Sequence, residues 1–214
     1  MLRPLAETRG AVVTPMRACP QVELVTDVAV LYVDPRGPYP ELVSHWYDES
    51  RDGRSYDGPF PIVAHPPCGP WGRLRHLSKN QDKTLAPLAV EQVRKWGGVL
   101  EHPAYSGLWK HCNLPLPGEL PDEYGGRTVA VNQCDWKHVA RKPTWLYIVT
   151  APGLRLEWPG PGTPTHWIIG ARDRAVAKVR GVCPPGIKIC SAEQRRRTPV
   201  AFAAWLVSLA RKCR

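Results

Sequence analysis

Apolar runs that stop abruptly at a proline or a charged residue organise the first half of this chain. The run VAVLYV (28–33) is β-branched and aromatic and closes at Asp34-Pro35, which predicts a buried strand ending in a turn. Residues 41–50 (ELVSHWYDES) follow Pro38 and Pro40 and place Leu42, Val43, Trp46 and Tyr47 at helical spacing, which predicts a helix entered through a proline. A second strand is expected over 60–64 (FPIVA), so residues 28–64 read as a strand, helix, strand unit with parallel strands. Residues 84–97 carry Leu85, Leu88, Val93 and Trp96 at helical spacing and end at Gly97-Gly98, and VLEHP (99–103) forms the next expected strand.

Two further runs, TVAVNQ (128–133) and WLYIV (145–149), flank the polar link CDWKHVARKP and predict a hairpin with a long loop. Residues 151–167 hold too many prolines and glycines for regular structure. Residues 198–212 predict a terminal helix with Thr198 as N-cap, Pro199 at the first helical position and cations in the last turn. The expected fold is α/β: a small Rossmann-like, methyltransferase-like, mostly parallel sheet with flanking helices and an irregular Pro/Gly-rich C-terminal part. One domain is expected over 1–214, with its core at about 25–150, an irregular basic segment over 151–197 and a closing helix over 198–212.

Charge adds a direction to this outline. Residues 1–60 hold 6 Lys/Arg against 9 Asp/Glu, a net of −3, and residues 61–214 hold 23 against 10, a net of +13. A positive field of that size attracts a polyanion, and nucleic acid is the commonest one in a cell. No stretch approaches the ~20 apolar residues of a membrane span, and the start MLRPLAETRG has no apolar core of the secretory kind. A soluble, cytoplasmic protein is therefore expected. The 7 cysteines are irregularly spaced without a C-x-x-C pair, which favours reduced thiols over a disulfide framework. Cys19, Cys112, Cys183, Cys190 and Cys213 are expected to be small buried hydrophobes.

Candidate chemistry gathers at the strand ends, because open α/β sheets bind ligands beyond the carboxyl ends of their parallel strands. Asp34, then His65 and Cys68, then Glu101 and His102 stand at three such ends. Neighbouring strands lie ~5 Å apart, so these side chains can meet in one pocket. In HPPCG the prolines fix the backbone before Cys68 and Gly69 permits a sharp turn, a rigid mount suited to an exposed nucleophile.

Three segments in order, His65-Pro-Pro-Cys68, Gly98-Val-Leu-Glu101-His-Pro103 and QCDWKHVARKPT (133–144), resemble the DNA cytosine-5 methyltransferases, especially their short phage-encoded members. The resemblance implies Cys68 as nucleophile, Glu101 as acid, and Arg141 with Lys142 and Thr144 as the segment contacting base and backbone. It implies as well a duplex DNA partner with an extruded pyrimidine, held by cations such as Arg73, Arg75 and Lys79, with Trp71 available for stacking and Asp34, His65, Pro67 and His102 around the substrate. Phage DNA modification in the host cytoplasm is the implied setting. Thiolate addition at C6 of a pyrimidine makes C5 nucleophilic, and an acid at ring N3 neutralises the charge that develops.

The chain departs from that family in three places. No glycine-rich turn for S-adenosylmethionine precedes Cys68, the nearest candidate being DPRGPY (34–39), whose prolines lack backbone donors. Only 27 residues precede Val28, short of a further strand and helix, and His102 stands where an asparagine is expected. The cofactor is therefore left open between S-adenosylmethionine and C5 exchange on a pre-modified pyrimidine without it. Two other readings stand beside the enzyme: a catalytically degenerate DNA-binding relative, and a zinc-dependent nucleic-acid enzyme using donors such as His111, Cys112, Cys134 and His138.

Overall fold

A computed structural model describes residues 27–73, 75–168 and 188–213. Six strands form one sheet, in the spatial order β2 (His45–Tyr47), β1 (Ala29–Leu31), β3 (Ile62–Ala64), β4 (Gly98–Pro103), β6 (Pro143–Val149) and β5 (Gly126–Asn132), and a separate pair joins β7 (His166–Trp167) to β8 (Lys188–Ile189). β1, β2, β3 and β4 are parallel. β6 is antiparallel to both β4 and β5, so β5 again runs with the first four. The fold is thus α/β and Rossmann-like, with a mostly parallel sheet.

Strand β1 sits between β2 and β3, so the chain steps to one side and then returns past its start. That reversal makes a crevice beyond the carboxyl ends of β1 and β3. Both sheet faces are covered, which is why the central strands read as continuous apolar runs. Val28, Val30, Val63, Val99, Leu146 and Ile148 pack with Phe202 and Leu206 of the terminal helix. Ala29, Leu31, Ile62, Ala64 and Leu100 pack on the opposite face with Val90 and Val93 of α1 (Leu85–Trp96) and with Trp109 of α2 (Gly107–His111).

The hairpin, α1 and the irregular stretch after Thr150 form as expected from the sequence, while two local expectations are overturned. Residues 41–50 do not form a helix. Pro38 and Pro40 support only a 3-10 turn over Tyr39–Glu41, and His45, Trp46 and Tyr47 become the edge strand β2. Aromatic residues suit a half-buried pleated edge, and ladder bonds to β1 together with Val33 N–H to Tyr47 O (3.1 Å) outweigh a weak helical pattern. The terminal helix starts later than Thr198: Pro199 is its N-cap without a side-chain cap, its carbonyl accepting from Ala203 N–H.

Further along, β7 pairs with β8, followed by α3 (Ala192–Arg196), closed by a Ser191/Gln194 capping box, and α4 (Val200–Arg211). The expectations for Cys19 and Cys183 fall outside the described residues. Cys190 and Cys213 are buried as expected, whereas Cys112 is only half-buried.

Gly98 is the tightest backbone position in the sheet. Its φ is 118°, and a Cβ there would collide with the Ile62 carbonyl and amide across the β3–β4 ladder. Gly98→Ala is expected to cost about 3 kcal/mol or more through strain and a broken ladder. Urea unfolding measures it as a lower midpoint at unchanged slope.

Candidate active site at the strand ends

Residues from the ends of β3, β4, β5 and β6 meet in the crevice, joined by Tyr39 from the turn after β1. After β3 the ladder continues for one residue, with His65 N–H bonded to Leu31 O at 3.0 Å, before Pro66 and Pro67 end it. Cys68 then opens a tight turn: its carbonyl accepts from the amides of Trp71 (3.1 Å) and Gly72 (2.9 Å). Gly69 has no room for a Cβ because Ser78 lies against it. Cys68 is thus an exposed residue on a hydrogen-bonded turn, its sulfur turned toward the crevice wall that desolvates it.

Beside it stands a buried polar chain. Glu101 Oε2 lies 3.1 Å from His65 Nδ1, and Glu101 Oε1 accepts from Gln133 Nε2 at 2.9 Å. His65 Nε2 in turn lies 2.5 Å from the hydroxyl of Tyr39, a buried residue on the connection after β1. The His65 ring therefore bridges the Tyr39 hydroxyl and the Glu101 carboxylate. Gln133 also donates to Thr144 Oγ1 (3.0 Å), whose hydroxyl donates to the carbonyl of Lys142 (3.1 Å).

Electrostatics couple this chain to the thiol. Burial works to raise the Glu101 pKa but is outweighed by the hydrogen bond and charge of His65, with Lys142 and His102 adding to it, and the carboxyl is held at about 2. Enclosure by the crevice pushes the Cys68 thiol up, Glu101 pushes it further, and Lys142 opposes both. Burial lowers the pKa of Lys142, against the attraction of Glu101 and Cys68. Lys142 therefore faces the nucleophile and the carboxylate together, while its Nζ donates to the Arg197 carbonyl at 3.2 Å.

Strand parity sorts the candidate residues read from the sequence. Side chains on one face alternate with period two, and the β4–β6 register pairs Glu101 with Leu146 and Pro103 with Thr144. Glu101 and Thr144 fall on the same side, and Lys142, just before β6 in a left-handed turn, is brought close enough to act on the Glu101 carboxylate. Arg141 is not: it is exposed and its side chain makes no hydrogen bond or ion pair among the described residues, so Lys142 is the cation beside Glu101. His102 pairs with Trp145 on the other side, fully buried with its ring 6.3 Å from Trp109.

Of the remaining candidates, Asp34 is exposed and bound by Arg36, outside the polar chain. Pro67 is half-buried before the thiol, Trp71 is buried against the core, and Arg73 and Arg75 are exposed on the turn after Cys68. Tyr39 and Gln133 were not singled out from the sequence. Gln133 had a signal, since it follows Val129 and Val131 at strand spacing and is polar where the pattern asks for an apolar residue.

The neighbouring turn does not fit a cofactor cradle. The amides of Arg36 and Gly37 both bond to Asp34, and Pro35 and Pro38 have none, so residues 35–38 leave no free amide to give an anionic or polar cofactor. Among the described residues no group of three or more His, Cys, Asp or Glu side chains is arranged to hold a metal ion. His138 instead contacts the carbonyls of Ala140 and Gln194, and Cys134 contacts Asp135.

No family model matches the chain, and no curated protein or solved structure matches it.

His102 makes acid sensitivity predictable. Burial holds its pKa down at about 4, and neither ring nitrogen has a well-formed hydrogen bond. A depressed histidine contributes stability that is present above the unfolded value of 6.5 and is lost as pH falls through 4. The thermal midpoint is expected to fall between pH 6.5 and 4, and His102→Asn, which cannot take up a proton, is expected to flatten that part of the curve.

Proposed function

We propose that this chain modifies DNA pyrimidines at C5 by adding Cys68 to C6 of an extruded base. The observation that carries the reading is the meeting of Cys68, Glu101 and Lys142 at adjacent strand ends, with an exposed cysteine on a hydrogen-bonded turn and a carboxylate fixed by His65 and Gln133. The resemblance to cytosine-5 methyltransferases points to the same pair, Cys68 and Glu101, at the reacting base.

In this reading the Cys68 thiolate forms a bond to C6, and the C5–C6 π electrons move into the ring toward C4 and N3. Glu101, ionised, accepts from the N–H edge of the base, and Lys142 offsets the negative charge on the ring. C5, now nucleophilic, takes a proton from water. Loss of a C5 proton and expulsion of the thiolate restore the aromatic ring, and this exchange needs no cofactor. On a 5-hydroxymethyl base the C5 electron pair instead expels hydroxide, which water protonates, leaving an exocyclic methylene. Water or another nucleophile adds to that CH2, its proton passing to solvent, and the returning C5 pair expels the Cys68 thiolate from C6. The positive second part of the chain would hold the flanking phosphates.

A DNA-binding relative without chemistry is the second reading, favoured by the upward shift of the Cys68 thiol. Incubation with oligonucleotides bearing cytosine, 5-fluorocytosine, thymine or 5-hydroxymethyl pyrimidines, with and without S-adenosylmethionine, separates the two by intact mass. A covalent protein–oligonucleotide adduct or a changed base mass is expected. No adduct and no mass change with any substrate would leave only the binding reading.

A further inference from the structure

The segment after the nucleophile is unusually cationic. Residues 69–83 carry Arg73, Arg75, Lys79 and Lys83 against a single acid, Asp82, whose carboxylate is already occupied by the Thr84 amide (2.8 Å) and hydroxyl (2.6 Å). Helix α2 brings Lys110 and His111 toward the same place, because Gly107 N–H donates to the Trp71 carbonyl at 2.9 Å. Between them lies a recess of about 570 Å³ lined by Pro70, Trp71, Arg75, Lys83, Lys110 and His111, with no carboxylate in its wall.

Among the described residues none of Arg75, Lys83 and Lys110 forms an ion pair, while Arg94, Lys95 and Lys212 elsewhere are paired with Asp122, Asp57 and Glu157. Like charges gathered without acids repel one another, and an arriving anion relieves that repulsion. Lys83 Nζ sits 5.8 Å over the Trp71 ring, and the His111 ring lies 4.9 Å from it, so aromatic and cationic groups alternate along the wall. That mixture suits a nucleic-acid strand, whose phosphates and bases follow each other at short intervals.

We infer that this recess is a backbone site for the DNA strand, holding a phosphodiester beside the extruded pyrimidine. Its position follows from the Cys68 turn: the same residue, Trp71, lines the recess and donates its amide to the Cys68 carbonyl. A phosphate seated here lies one turn of backbone from the nucleophile. The inference rests on the proposed pyrimidine chemistry only for the identity of the strand. Arg73 and Lys79, both exposed on the same segment, extend the positive track beyond the recess.

Fluorescence anisotropy with a labelled pyrimidine-containing oligonucleotide, single-stranded and duplex, tests it on the full chain with the double reversal Lys83→Glu/Lys110→Glu. Both side chains are exposed, so the fold is expected to survive, and the neutral pair Lys83→Gln/Lys110→Gln with a thermal melt controls for it. Affinity is expected to fall about tenfold or more, and the slope of log K against log salt to shrink by about 1.4 on single strands or about 1.8 on duplex, as two phosphate contacts are lost. Wild-type affinity that neither pair changes overturns the site, as does the absence of oligonucleotide binding or equal competition by polyglutamate. Because binding is read without chemistry, a wild type that binds through the recess yet forms no adduct would sink the pyrimidine reaction and leave the recess standing.

Discussion

Cys68→Ala is expected to abolish covalent capture of pyrimidine oligonucleotides while leaving the fold intact. Among the described residues the nucleophile has no substitute: the thiols of Cys134, Cys190 and Cys213 are buried, and Cys112, the C-cap of α2, is half-buried with its thiol near Arg94. Loss of a covalent nucleophile typically costs about 10⁴-fold or more in rate. Stability should barely change, because Cys68 is an exposed residue and the turn is held by its backbone carbonyl, which alanine keeps. Intact mass with a 5-fluorocytosine oligonucleotide reads the chemistry, and a thermal melt reads the fold. An adduct of undiminished yield in the alanine variant would remove Cys68 from the mechanism. In the wild type, capture should accelerate as pH rises, since enclosure and Glu101 raise the thiol pKa and the thiolate is the attacking species.

Glu101→Gln is the second large effect, and it separates stability from chemistry. The carboxylate accepts from His65 on one oxygen and from Gln133 on the other. A carboxamide has one acceptor and one donor end, so one of these two donors must face an N–H, which costs about 1–3 kcal/mol at a buried site. The linkage has a definite sign. Glu101 titrates at about 2 in the folded chain against 4.5 in the unfolded one. Its contribution, on the order of 3 kcal/mol, is therefore complete above pH 4.5 and is lost as pH falls toward 2. The variant should start less stable at neutral pH and lose less on acidification through that window. Adduct formation should fall about 10- to 100-fold, because the base edge loses a charge-assisted acceptor. A variant with wild-type adduct rates would show that Glu101 only holds the strand ends together.

How much of this was legible in advance depends on what kind of signal each residue carries. β1, β3 and β4 were readable because they are buried on both faces, and burial on two sides leaves an uninterrupted apolar run such as VAVL or IVA. β2 was not, because an edge strand has one wet side, and ELVSHWYDES then shows spacings that suit a helix equally well. Its pairing energy comes from β1, which the local pattern does not contain.

The site divides in the same way. Cys68 was legible because prolines and a glycine constrain the backbone wherever they occur, and Glu101 because a carboxylate closing an apolar run is anomalous in one dimension. The choice of Lys142 over Arg141, and the turning of His102 away from Glu101 toward Trp109, depend on which residues of β6 face which residues of β4. Register is a property of two strands together, and a shift of one residue would exchange the two faces. Tyr39 reaches His65 only because the chain reverses between β1 and β3. By itself, then, the sequence determined the parallel α/β core, the mounted cysteine, the carboxylate at the next strand end and the positive field of the later segments, all of them consequences of local sterics and charge. The tertiary structure alone decided which polar groups join into the Tyr39–His65–Glu101–Gln133 chain and which cation completes it, because those contacts form between residues far apart in sequence and are set by strand order and register.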